Sequence, residues 1–213
     1  MRAIYLHLAA PRAWLAFALG CVALLYLASL LFRPLMPVDE TRYLTVAWEM
    51  TVRNRWLAPL TLNFEPYTHK PPLLFWLIAL SWKLFGTDRW AAALPAAAAA
   101  GASLALTAAL ARRLFPHVPG IAARAPLVLA GTFLFLVYST LMMFDFLLAD
   151  FVMAALLCFL ACARPHGSPS PARAAACVAG MGFFLGLAVL TKGPVAYLYI
   201  LPPILLGGRC RRE

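Results

Sequence analysis

The chain has 213 residues, 64% of them hydrophobic and only 12% charged. Water-soluble domains run near half apolar and a quarter charged, so this chain has too few polar side chains to cover a water-facing surface, and the bilayer is its natural solvent. The formal net charge is +10, but the basic residues stand at the ends of apolar runs instead of along an aromatic-studded surface, which argues against nucleic acid and reads as membrane topology.

In chain order, six apolar runs are long enough to be read as spans: 13–32, 90–111, 125–144, 146–163, 174–191 and 193–208. The first is an uncharged run behind Arg2 and Arg12, longer than the core of a cleaved leader. The last is short and holds Pro202 and Pro203. A seventh run, 71–82, is too short to cross the hydrocarbon layer.

Charge parity supports that reading. If 71–82 does not cross, Arg2, Arg12, Arg112, Arg113, Arg124, Arg164, Arg173, Arg209, Arg211 and Arg212 all fall on the inner side. Asp39, Glu40, Glu49, Glu65, Asp88, Asp145 and Asp150 then fall on the outer side. If it crosses, this separation is lost. Residues 34–89 are therefore one long outer loop. Within it, 71–85 is expected to lie in the interface, with Trp76 and Trp82 at headgroup level.

Residues 41–53 show helical periodicity. Tyr43, Val46, Ala47 and Met50 share one face, and Arg42, Thr45, Glu49 and Arg53 the other. Asp39 stands where a carboxylate suits capping and the helix dipole. The stretch 164–173 reads as a polar inner loop without regular structure. Cys21, Cys158, Cys162 and Cys177 fall in apolar runs and read as buried structural thiols; with Cys210 in the basic tail they suggest no disulfide framework. Gly182 and Gly186 have the small-xxx-small spacing of helix packing.

The outer face gathers the candidate chemistry. Asp39-Glu40-Thr41-Arg42-Tyr43 follows the first span, and Tyr67-Thr68-His69-Lys70-Pro71-Pro72 precedes the interfacial helix. Asp145 and Asp150 open the fourth span, and Lys192 closes the fifth. Asp150 is the most telling by position, because an ionisable group inside a span is costly; pairing with Lys192 for structure is the plainer alternative. Arg42 can share a helix face with Asp39. The prolines after Lys70 stiffen the backbone that aims its ammonium. A carboxylate beside such cations at a membrane surface suits a lipid phosphate, with the carboxylate as base toward an acceptor hydroxyl. A divalent metal held by His69 with Glu65 or Asp39 is left open, though one histidine without fixed spacing gives little support.

Together, Asp39-Glu40-Thr41-Arg42-Tyr43, His69-Lys70-Pro71-Pro72, Asp150 and Thr191-Lys192-Gly193 resemble the N-terminal part of the GT-C type glycosyltransferases that use polyprenyl-phosphate sugars. The likeness is greatest to bacterial lipid A aminoarabinose transferases and their protein O-mannosyltransferase relatives. The resemblance implies an all-α integral membrane fold, of about six transmembrane helices here, with interfacial helices in the first outer loop. It implies a single transmembrane module over 1–213, without the second half of such proteins. It implies Asp39 as catalytic base and Asp150 as a second catalytic acid in the same cavity. Arg42 and Lys70, with Lys192, would hold the carrier phosphate. His69 stands where the aminoarabinose transferases carry a metal-holding glutamate, so no cofactor is required and a divalent metal stays open. The implied partners are membrane lipids, a lipid-linked sugar donor on an undecaprenyl-type carrier, and a lipid A-like or protein acceptor, with no nucleic acid. The implied place is the bacterial inner membrane, with the active face periplasmic. The alternatives are a lipid-binding or assembly subunit of such a system and, further off, a small transporter; paired halves with broken helices at mid-membrane would mark the latter.

Overall fold

A computed structural model describes residues 11–57, 60–162 and 170–209, with side chains for 13–57, 60–162 and 170–205. The side chains of Arg2, Arg12, Arg164, Arg209, Cys210, Arg211 and Arg212, and loop residues 164–169, lie outside these.

The described chain is helical apart from one small hairpin. In order come α1 (Pro11–Phe32), α2 (Asp39–Val52), β1 (Leu60–Leu62), β2 (Glu65–Tyr67), α3 (Leu73–Phe85) and α4 (Arg89–Leu114). There follow α5 (Ile121–Ala130), α6 (Phe133–Tyr138), α7 (Asp145–Cys162), α8 (Pro171–Lys192) and α9 (Val195–Arg209). Four helices, α1, α4, α7 and α8, are long and apolar enough to cross a membrane, so the chain is an all-α, multi-pass membrane protein. α3 has 13 residues, roughly 20 Å of helix against a hydrocarbon layer of about 30 Å, too short to cross it.

The expected span 125–144 is not one helix. α5 ends at Ala130, and Gly131 and Thr132 break the ladder. The Thr132 hydroxyl then accepts from the Phe135 amide and starts the six-residue α6. Residues 139–144 are irregular up to Asp145. The run is apolar throughout, so hydropathy passes over a break made by a capping threonine. The expected span 193–208 becomes the 15-residue α9, also short for a crossing.

Two packing expectations also change. A side chain added at Gly182 or Gly186 would meet nothing within 4 Å. Close approach occurs instead at Gly180, whose added Cβ would stand 3.1 Å from Cys158 Sγ of α7. Cys21, Cys158, Cys162 and Cys177 are only part-buried, because their helices leave much of their surface for the bilayer.

The main core lies around α2 and α3. Tyr43, Val46, Ala47 and Met50 are all buried, as the periodicity of α2 requires. They pack with Leu74, Phe75 and Ile78 of α3 and with Ala92, Ala96 and Ala99 of α4. Phe144 meets Tyr43 and Phe75 edge-on, with ring centroids 5.0 Å and 5.5 Å away. Edge-to-face rings add specific geometry to their burial.

Glu49 departs from its expected solvent-facing place and is 1% exposed. Its carboxylate accepts the Phe64 amide at 3.2 Å and 3.1 Å. Phe64 sits at φ 67° after Asn63 at φ 53°, so the β1–β2 turn holds two left-handed residues, the second of them bulky. The Glu49 acceptor and the Arg53 guanidinium, 4.5 Å over the Phe64 ring, hold the turn in this conformation. Glu49→Ala removes that acceptor, and a loss of roughly 1–3 kcal/mol is expected. A lower melting temperature in detergent, together with faster proteolysis near the hairpin, checks it.

Candidate functional site

Asp39 is the first residue of α2 and is half-buried. It does not cap the helix: Val38 occupies the N-cap position, and no side-chain cap bond forms there. Asp39 and Glu40 supply the acidic first turn, which the helix dipole favours. One turn on, the Tyr43 hydroxyl donates to Asp39 Oδ1 at 3.5 Å. Burial pushes the Tyr43 hydroxyl up to about 12, helped by the negative charges of Asp39 and Asp145. Tyr43 therefore stays a neutral donor at any physiological pH.

Tyr67, at the end of β2, is 4% exposed. Its hydroxyl is buried with no hydrogen-bond partner among the described residues. Burial raises its pKa and Asp39 adds to the rise, while the Arg42 guanidinium beside it works against both. The two groups are close enough to feel each other's charge without a well-formed hydrogen bond. An unsatisfied buried hydroxyl next to a cation is a site that a ligand oxygen can complete.

A cavity of about 680 Å³, bordered by two lysines, opens beside Tyr67. Thr68, His69 and Lys70 line one side, and Lys192, Gly193 and Pro194 the other. Lys70 lies 5.9 Å from the centre of the Phe144 ring, which fixes its ammonium without neutralising it. Lys192 Nζ meets Asp145 Oδ1 at 2.7 Å. Arg42 and Lys70 are in no ion pair among the described residues, so both keep their charge available for an anion.

Five expected site residues thus gather at one end of the bundle: Asp39, Arg42, His69, Lys70 and Lys192. Asp150 does not join them. It sits deeper in α7, 6% exposed, hydrogen-bonded to Ser103 of α4 at 2.5 Å. It lines a second, apolar cavity of about 750 Å³ between α3, α4, α7 and α8. The acid that faces Lys192 is Asp145, at the first residue of α7. A carboxylate at the start of a span reaches the interface, whereas one more than a turn further in does not, and that is the signal that separates the two.

His69 is exposed, and its ring lies 5.4 Å from that of Tyr67. No three His, Cys, Asp or Glu side chains among the described residues could hold a metal ion together.

Behind the site stands a network that sequence inspection does not show. Glu40 is completely buried. Its carboxylate accepts from Arg33 Nη1 and Nη2 at 2.7 Å and 2.8 Å, from the Met36 amide at 2.6 Å and from the Met142 amide at 2.9 Å. Burial alone would raise its pKa; the Arg33 pair and the two amides outweigh that and hold the carboxyl below its ordinary range. Its stabilising contribution is thus present above the ordinary glutamate value and is lost as pH falls through the lowered folded value.

Comparison with known proteins agrees with this geometry. Residues 69–212 match the family model for dolichyl-phosphate-mannose-protein mannosyltransferase. The chain belongs to this family. Among curated members, an undecaprenyl phosphate-alpha-4-amino-4-deoxy-L-arabinose arabinosyl transferase of Proteus mirabilis is 31% identical over 86% of this chain and 32% of its own length. A namesake from Pseudomonas savastanoi is 35% identical over 47% of this chain and 19% of its own. In structure, the chain superposes on ArnT of Cupriavidus metallidurans bound to undecaprenyl phosphate with a TM-score of 0.76 at 25% identity, over 92% of this chain and 36% of that one. The apo form gives 0.74 over 96% and 37%. This mannosyltransferase-family chain therefore spans about a third or less of the length of these relatives. The matched region begins at His69 and takes in Lys70, Asp145, Asp150 and Lys192, while Asp39 and Arg42 precede it.

Proposed function

We propose that this chain carries the carrier-phosphate and base side of a glycosyltransferase site, which moves a sugar from an undecaprenyl-type phosphate to a hydroxyl acceptor. The observation that supports this most is the pairing of the two cavities. The one beside Tyr67 presents Lys70 and Lys192 near the Arg42–Tyr67 and Asp39–Tyr43 contacts. The apolar one lies further along two helices that border the first, at Leu77 of α3 and Phe184 of α8, and adds Leu147 of α7. An amphiphile with a phosphate head and a long hydrocarbon tail matches that arrangement of charge and oil.

In this reading the phosphate sits against Arg42 and Lys70, and the Tyr67 hydroxyl completes its hydrogen bonds. Asp39 takes the proton of the acceptor hydroxyl. The freed oxygen attacks the anomeric carbon as the bond from that carbon to the phosphate oxygen breaks. The electron pair leaves on the phosphate, where the cations meet the growing charge. Direct attack inverts the anomeric centre. A lipid A-like molecule or a protein hydroxyl is the acceptor, and the periplasmic face of the bacterial inner membrane is the place. The arabinosyl transferase names of the relatives make aminoarabinose the first donor sugar to try.

The test is transfer of radiolabelled sugar from its undecaprenyl phosphate to lipid A, in membranes carrying the chain. Label above that in empty membranes supports the proposal, and label equal to it opposes it. The apolar cavity gives a second expectation. Ala98→Trp fills space bordered by α3 and α4 and displaces about two methylenes of tail, near 0.8 kcal/mol each. Affinity for the long-chain carrier is expected to fall about tenfold, with a short-chain analogue unaffected in the same binding assay.

A further inference from the structure

Glu40 is a buried acid that the functional reading leaves unused. Glu40 follows Asp39 directly, is fully enclosed, and does not line the cavity beside Tyr67. Its four acceptor contacts come from two separate stretches of chain: Arg33 and Met36 in the connector from α1 to α2, and Met142 in the irregular stretch before α7. Arg33 ties the same stretches together again through the Thr140 carbonyl at 2.5 Å. Arg89, at the start of α4, donates to the carbonyls of Ser29 and Arg33. The α1–α2 connector and the 139–144 stretch therefore meet at the Glu40 carboxylate, and the start of α4 is tied to the same connector through Arg89.

What leaves this junction matters. In one direction, α2 carries Asp39, Arg42 and Tyr43. In the other, Met142 is followed within three residues by Phe144, packed on Tyr43, and Asp145, paired with Lys192. Between the Met36 contact and Glu40, Val38 is held at φ 74° and ψ −56°. A β-branched residue there is strained and persists only where its surroundings over-determine it. The contacts of Glu40 flank it on both sides and provide that constraint.

We infer that Glu40 is a positioning residue: with Arg33 it braces the first turn of α2 against the 139–144 stretch and so keeps the two acids of the site, Asp39 and Asp145, in register. The inference rests on the transferase reading for its kinetic consequence, but not for its structural one. A paired, hydrogen-bonded buried carboxylate is a suitable brace, because losing one partner leaves a buried charge uncompensated. A displacement of about 1 Å at a reacting group can cost on the order of 100-fold in rate.

Two readouts on the full chain in nanodiscs test it. Nitroxide labels are placed at Thr41 and Ala149, exposed positions on α2 and α7, and their distance distribution is measured by pulsed electron resonance. A single narrow distance is expected with Glu40 in place, and a broad one in Glu40→Gln. In the transfer assay, Glu40→Gln is expected to lower kcat by ~10- to 100-fold with a much smaller change in KM for the carrier. A narrow distribution in Glu40→Gln overturns the brace, whatever the rate does. A broad distribution with kcat within twofold of the parent overturns its importance for transfer. Should the parent show no transfer, the transferase reading fails, and the distance measurement still decides the brace. If Glu40→Gln does not fold, Arg33→Lys, which keeps the charge and loses the two-pronged pair, is measured in the same two ways.

Discussion

Asp39→Asn is expected to lower transfer by on the order of 10²- to 10⁴-fold, the usual contribution of a positioned general base. The substitution is nearly isosteric and half-exposed, and the asparagine oxygen can still accept from Tyr43, so folding should be retained. Carrier affinity should change little, since removing the negative charge, if anything, favours a phosphate nearby. Initial rates at saturating donor, with carrier binding measured on the same preparation, check both parts. Full activity in the variant removes Asp39 from the base role, and Asp145 then becomes the acid to examine, because it shares the Tyr43 neighbourhood.

Replacing Arg42 and Lys70 by alanine should act on binding first. Hydrogen bonds to charged groups contribute about 1.5–3 kcal/mol each, so each single variant is expected to weaken carrier affinity by roughly 10- to 100-fold. The two cations come from different elements, Arg42 from α2 and Lys70 from the turn before α3. They converge through Tyr67, which stands beside Arg42 and lines the cavity with Lys70. Because both act on one phosphate, the double variant should lose less than the product of the single losses, the mark of coupled groups. Equilibrium binding of the carrier across the four proteins measures this directly. An additive result would mean that the two residues hold different groups.

Much of this arrangement was legible in the chain itself, for physical reasons. Spans show because a bilayer excludes charge, so α1, α4, α7 and α8 appear as long apolar runs. α3 shows as an apolar run too short for a span. The outer-loop cations and Asp39 showed because charge is scarce in this composition and therefore conspicuous.

Other features depended on contacts that no local pattern records. The hairpin turn is Asn63-Phe64, with no glycine, and is held by Glu49 from another element. The break at Gly131-Thr132 rests on one capping hydroxyl within an unbroken apolar run. Asp150 stood out because it lies inside a span, yet its partner is Ser103, and Asp145 is the acid that meets Lys192. The role of Glu40 depends on Met142, 102 residues away in sequence, and only the folded chain brings them together. Local periodicity and charge count thus located the membrane frame and the outer site, while the bonds that join its parts came from tertiary structure.

The central claim is that Arg42 and Lys70 hold a carrier phosphate at one end of the bundle. Phosphorus NMR of undecaprenyl phosphate in nanodiscs tests it without relying on turnover. With the parent chain present, the account predicts a resonance displaced from its protein-free position, returning to that position in the Arg42→Ala/Lys70→Ala double variant. A resonance that is the same with and without the protein, or a displaced one that survives the double substitution, would contradict it.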